Sequence, residues 1–241
     1  MKGAADCHMC GRCADYRGAI ALTPRSPEEE IVEVAQSNRW QTVLIIFGLM
    51  GIAVGAFLWS ASPWFVTLKQ GMAEWLVDHD ILWPLGQNAP WFLLTHYPEV
   101  NDVFSWLDGL TILLFIFGTA LVTGGVLWTS LLAIQKVAGH KLALGIDTVA
   151  QALIPAAGVG VFLGLSATTV TLLRHDGIAT GWVQPLRLTL LTLGLLWSLR
   201  LAWKMLRRYG LPMARSVSCM LLLVVGLGPF TYAWLLFFII W

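Results

Sequence analysis

Cys7, Cys10 and Cys13 stand at a C-x2-C-x2-C spacing in a chain with only four cysteines. Thiolates are soft ligands that select zinc or iron–sulfur clusters. Structural zinc sites favour two separated ligand pairs, whereas three evenly spaced thiolates suit an iron–sulfur cluster better. A 4Fe-4S cluster on this run still wants a fourth ligand, and a 3Fe-4S cluster is the alternative that does not. Cys219, His8, Asp15 and a cysteine from a partner chain are the candidates for the open place. For Cys219 the competing reading is a small residue buried in a helix. Thiolate ligation fits a reducing compartment, so the Cys-rich segment is expected in the cytoplasm.

The elements that must position this segment are apolar. The 241 residues are 57% hydrophobic and 12% charged, against about 25% charged in soluble domains. The charges are bunched, and the runs between them reach about 20 residues, the length that crosses a bilayer. The fold expected is an all-α integral membrane protein of about five transmembrane helices, with a small N-terminal ferredoxin-like Cys-rich segment. Residues 1–38 form that segment and 39–241 the helical domain. The spans are expected at about 40–60, 110–134, 144–173, 185–206 and 217–241, the third interrupted by Pro155. Residues 1–38 have no short apolar core or cleavage site, so they do not read as a signal peptide. With a net charge of +1 and no basic tract, nucleic-acid binding is not supported.

Lys and Arg set the orientation. With the N-terminus inside, twelve of the fifteen fall on the inner side and only Lys69, Arg174 and Arg187 outside. The expected location is therefore the bacterial inner membrane, with a cytoplasmic N-terminus and a periplasmic C-terminus. The lipid bilayer is one partner. A redox partner subunit or cytochrome is another, and the acidic outer loop at about 62–109 (Glu74, Asp78, Asp80, Glu99, Asp102, Asp108) could dock a basic cytochrome. Within that loop, residues 71–77 are expected to form an amphipathic surface helix. Trp64, Trp75, Trp83, Trp91 and Trp106 read as interfacial anchors.

Small residues mark packing faces. Ala156, Gly160 and Gly164 recur every fourth residue on the third span, with Gly118 and Gly125 of the second as expected partners. Pro155 and Pro229 are expected to kink their helices. Ionisable groups near span ends are functional candidates. Asp147 and Gln151, one turn apart on the inner side, could contact a quinone headgroup. Arg187 and Gln184 lie at the outer end of the fourth span, with Asp176 as a possible ion-pair partner, while Arg200 and Lys204 snorkel inward. Haem b requires histidines inside spans. His8, His79, His96, His140 and His175 all lie elsewhere. No catalytic constellation of nucleophile and base, phosphate loop or paired carboxylates stands out.

The cysteine run, with Arg17 in the place of a fourth cysteine and Gly18-Ala19-Ile20 after it, resembles the bacterial ferredoxin half-motif. Together with the stretch from Gln151 to Thr171, it makes the chain similar to the C-terminal part of membrane-bound 4Fe-4S binding proteins of the NapH/NosR polyferredoxin-like type. Such proteins usually carry further spans and cysteine motifs, including Cys-Pro, that this chain lacks. The chain thus reads as a divergent, split or truncated member. The resemblance implies electron transfer between the quinone pool and a reductase or oxidase pathway, without substrate chemistry of its own. Two rivals belong to other classes. One is an assembly factor or redox sensor with a labile cluster, the other a structural or transport subunit with a vestigial motif.

Overall fold

The structure is a computed structural model that describes residues 26–29, 31–32, 38–86, 89–90, 92–97, 99, 102–139 and 145–240. It is helical almost throughout, and five helices are long and apolar enough to cross a membrane. Asn38 opens the first, α1 (Arg39–Ala61), by accepting a 2.9 Å hydrogen bond from the Trp40 amide. Pro63 then starts α2 (Pro63–Asp78), for the proline ring presets the first helical turn and lacks an N–H that would go unused there. A two-residue antiparallel pair, β1 (His96–Tyr97) and β2 (Asp102–Val103), precedes α3 (Trp106–Ala138). A short α4 (Ile146–Gln151) leads into α5 (Ile154–His175), then α6 (Val183–Arg208) and α7 (Met213–Ile240).

Several boundaries differ from the sequence reading by a few residues, and three of the differences have a local reason. The second span starts at Trp106 rather than near 110, because Ser105 and Asp108 cap it reciprocally. The surface helix expected at 71–77 begins earlier, at Pro63, and runs for 16 residues. The third span is not one kinked helix over 144–173. The chain turns at Ala152 and Leu153, and Pro155 sits in the first turn of a new helix, where it is tolerated. That break releases the Ala156 amide from the helical ladder. The Ser198 hydroxyl on α6 accepts it at 3.0 Å, with both residues buried. Pro229 lies inside α7.

The spans alternate in direction. One end of the bundle, here the N face, holds the start of α1, the end of α3, α4, the end of α6 and the start of α7. The opposite C face holds α2, the end of α5, the start of α6 and the end of α7. Helix α3 packs along both α1 and α7, and α5 packs along α6.

The close approach of α1 to α3 rests on Gly51 and Gly55, a G-x3-G pair that the sequence reading passed over. A Cβ on Gly51 would lie 2.9 Å from the Ala120 Cα, and one on Gly55 2.8 Å from the Ile116 Cα. Both obstacles are backbone, so nothing short of separating the helices relieves them. The expected meeting of Gly160 and Gly164 with Gly118 and Gly125 does not occur. Gly118 and Gly125 have nothing within 4 Å of an added Cβ. Gly160 instead lies under Phe230 and Trp234, and Gly164 under Phe57. These rings join a cluster around the fully buried Trp234, which stacks on Phe238 at 5.4 Å between centroids. Large rings next to glycine fill the space that a second small-residue face would otherwise have to close.

Two substitutions test this packing by thermal unfolding in detergent. Gly55→Val is expected to destabilise by about 1–3 kcal/mol through overpacking, whereas Gly118→Ala should be neutral within about 0.5 kcal/mol. Ser198→Ala is expected to cost about 1–3 kcal/mol, since it leaves the buried Ala156 amide without an acceptor.

Candidate functional site

At the N face the segment that follows the Cys-rich stretch is bound to the helical domain. Residues 27–29 form one helical turn. From it Glu28 accepts a hydrogen bond from the Lys204 ammonium, with Arg200 Nη2 at 3.6 Å from the same oxygen. Four residues on, the Val32 carbonyl accepts a 2.7 Å hydrogen bond from Arg208 Nη1. Lys204 and Arg208 lie one turn apart in the last two turns of α6, so one helix face presents cations at the spacing of the incoming segment. Cations are also favoured there, where the helix macrodipole is negative. The hydrogen bond from Lys204, helped by the Arg200 charge and opposed by partial burial, holds the Glu28 carboxyl below the usual glutamate range.

From sequence, Arg200 and Lys204 are expected to snorkel. In the structure they have an acidic partner about 175 residues away in the chain. The signal was present in the run Glu28-Glu29-Glu30 beside the only dense basic group at a span end, but charge complementarity alone does not choose a partner.

Asp147 and Gln151 also sit at this face, and both are engaged within the bundle. The Thr42 hydroxyl donates to Asp147 Oδ1 at 2.7 Å, and Arg39 Nη1 lies 3.6 Å from the same oxygen. The Arg39 guanidinium stacks 4.3 Å from the centroid of the Trp128 ring. Gln151 is buried, with its amide 3.5 Å from Gln41 Oε1. The pair thus fastens α4 to the first turn of α1. Cys219 lies two turns into α7, fully buried, with its thiol 3.9 Å from the Ile134 carbonyl of α3. In that position it packs as a small helix residue between two spans. Cys7, Cys10 and Cys13 lie outside the described residues, as do His8 and Asp15. Among the described residues no three His, Cys, Asp or Glu side chains come together as a metal group.

The C face carries two further features. Lys69 of α2 pairs with Asp108, which also accepts from the Ser105 amide at 2.9 Å and its hydroxyl at 2.7 Å. This ion pair pins the surface helix to the start of α3. Between them lies an apolar cavity of about 1000 Å³ lined by Trp64, Leu68, Met72, Trp75, Trp83 and Trp106 among others. Four of the tryptophans expected as separate interfacial anchors therefore share one cavity wall. Arg187, expected beside Asp176, is not paired with it: Asp176 faces His175 at 3.6 Å.

No protein-family model matches the chain, and neither a curated protein nor a solved structure matches it.

The sign of the Glu28 contribution follows from its lowered pKa. The docking contribution is fully present above the unfolded glutamate value of about 4.3 and is lost as pH falls through the lower folded value. A carboxyl ¹³C titration, assigned with Glu28→Gln, is expected to place the Glu28 midpoint below that of an unstructured glutamate. Lys204→Ala should move the midpoint back up, and an unmoved midpoint would remove Lys204 as its cause.

Proposed function

We propose that the chain is a membrane-anchored electron-transfer component, in which Cys7, Cys10 and Cys13 carry an iron–sulfur cluster beside the N face. The observation that carries this reading is the docking of Glu28 on Lys204 and Arg200. Twelve residues lie between Cys13 and Ser26, a span of at most about 45 Å even fully extended. A centre on the cysteine run is thereby kept within reach of the membrane surface and of any partner seated there. The donor set fits such a centre: three thiolates at two-residue intervals suit an iron–sulfur cluster. When bound, the cluster supplies one-electron transfer. The chain itself supplies the thiolates and the tether.

The fourth ligand is better sought at His8, Asp15 or a partner chain than at Cys219, whose thiol is sealed between α3 and α7. Asp147 is likewise less favoured as a quinone contact, because Thr42 and Arg39 already engage its Oδ1. The distribution of charge supports a cytoplasmic N face in a bacterial inner membrane. Among the described residues seven cations lie toward that face (Arg39, Lys136, Arg200, Lys204, Arg207, Arg208, Arg215) and three toward the other, and Lys and Arg favour the cytoplasmic side. The role that follows is that of a subunit or accessory of a respiratory redox complex.

The test is anaerobic purification of the full chain, with iron and sulfide analysis and EPR of oxidised and reduced samples. About three to four irons per chain are expected, falling to background in Cys10→Ser. Lys204→Ala with Arg200→Ala should keep the iron and slow electron transfer to membrane acceptors. Zinc in place of iron, or full electron transfer by Cys10→Ser, would overturn the proposal.

A further inference from the structure

A cavity of about 420 Å³ opens on the C face where α5, α6 and α7 meet. Its wall includes Arg174 from the last turn of α5, Thr180 from the connection to α6, Gln184 and Arg187 from α6 itself, and Phe238 from α7. Two guanidiniums thus share one small cavity, and among the described residues neither has an ion-pair partner. Each is held in place by weaker contacts. Arg174 Nε donates to Thr180 Oγ1 at 3.1 Å. Arg187 Nη2 lies 3.4 Å from Ser166 Oγ, and its guanidinium sits 5.5 Å from the centroid of the Phe238 ring. Arg187 Nε is buried with no hydrogen-bond partner. Gln184 donates its amide N–H to the Phe238 carbonyl at 2.7 Å, which ties the end of α7 to the start of α6 beside the cavity.

Two cations facing one cavity repel each other, and an unpaired buried donor costs free energy. Both costs are removed by an anion with several acceptor oxygens, which guanidinium forks bind in bidentate fashion. The depth fits the level of lipid headgroups. Helix α6 has 26 residues, about 39 Å at 1.5 Å per residue, so it overshoots a hydrocarbon core of about 30 Å. Arg187 lies four residues into it, about 6 Å from its start, and therefore near the boundary between headgroups and acyl chains.

We propose that Arg174 and Arg187 form a binding site for a phosphate-bearing anion at the C face. The phosphodiester of an anionic phospholipid and free phosphate share this chemistry, and the experiment separates them.

The full chain in detergent is titrated with phosphatidylglycerol, phosphatidylcholine or inorganic phosphate, and bound molecules are counted by native mass spectrometry. Phosphatidylglycerol is expected to be retained over phosphatidylcholine, and Arg174→Gln or Arg187→Gln to weaken it about tenfold or more. Arg215→Gln, on the other face, should leave binding unchanged. If inorganic phosphate displaces the lipid, the site takes the anion itself; if it does not, the lipid is the ligand. Equal retention of the two lipids, with no phosphate bound, overturns the proposal, as does a preference that survives both substitutions. Arg174 is exposed at a helix end, so its variant decides the matter if Arg187→Gln fails to fold.

Discussion

Backbone contact between α1 and α3 is the constraint on which the rest of the bundle depends. Lipid tails are as apolar as leucine, so burial gives helices in a bilayer no reason to associate, and close van der Waals packing has to supply it. Gly51 and Gly55 let α1 rest on the backbone of α3 at Ile116 and Ala120. With α3 fixed between α1 and α7, the aromatic cluster around Trp234 has one space to fill, and Gly160 and Gly164 of α5 provide its other wall. The same glycine chemistry serves two different ends: contact with backbone in one place and room for rings in the other.

The break between α4 and α5 depends on this packing as well. An irregular backbone within the membrane layer is tolerated only where protein satisfies it. Ser198 of α6 meets the released Ala156 amide, so the short helix α4 can turn its polar residues toward α1 at the N face. Asp147 there joins Arg39 and Thr42, and Gln151 lies beside Gln41. The N face thus carries ion pairs and polar contacts laid across several helix ends. Glu28 extends them outward to the segment that carries the cysteines. The C face is built differently, with an apolar cavity walled by tryptophans on one side and, on the other, two arginines that have no ion-pair partner among the described residues.

Much of this was legible in the sequence, and the reason is that a bilayer imposes its thickness and its polarity on the chain directly. Runs of about 20 apolar residues between clustered charges gave five spans, and the same five helices appear. The Ser105–Asp108 cap and Pro63 are equally local signals, readable within four residues. The cysteine spacing is local too, and the proposed function joins it to the Glu28 contact that only the packed bundle shows. The Gly51–Gly55 spacing is likewise a local pattern, present in the sequence of the first span.

What only the tertiary structure decided is which groups meet. Gly160 and Gly164 looked like partners for Gly118 and Gly125, yet helical period reports a face and not the neighbour that covers it. Arg187 and Asp176 stood at adjacent span ends, and the structure turns Asp176 toward His175 instead. Glu28 and Lys204 are far apart in sequence, and no local pattern joins them. Span length and charge placement are properties of single segments measured against the membrane, so the sequence alone determined them. Contacts between segments depend on how helices rotate and tilt against one another, and these angles exist only once all five are packed together.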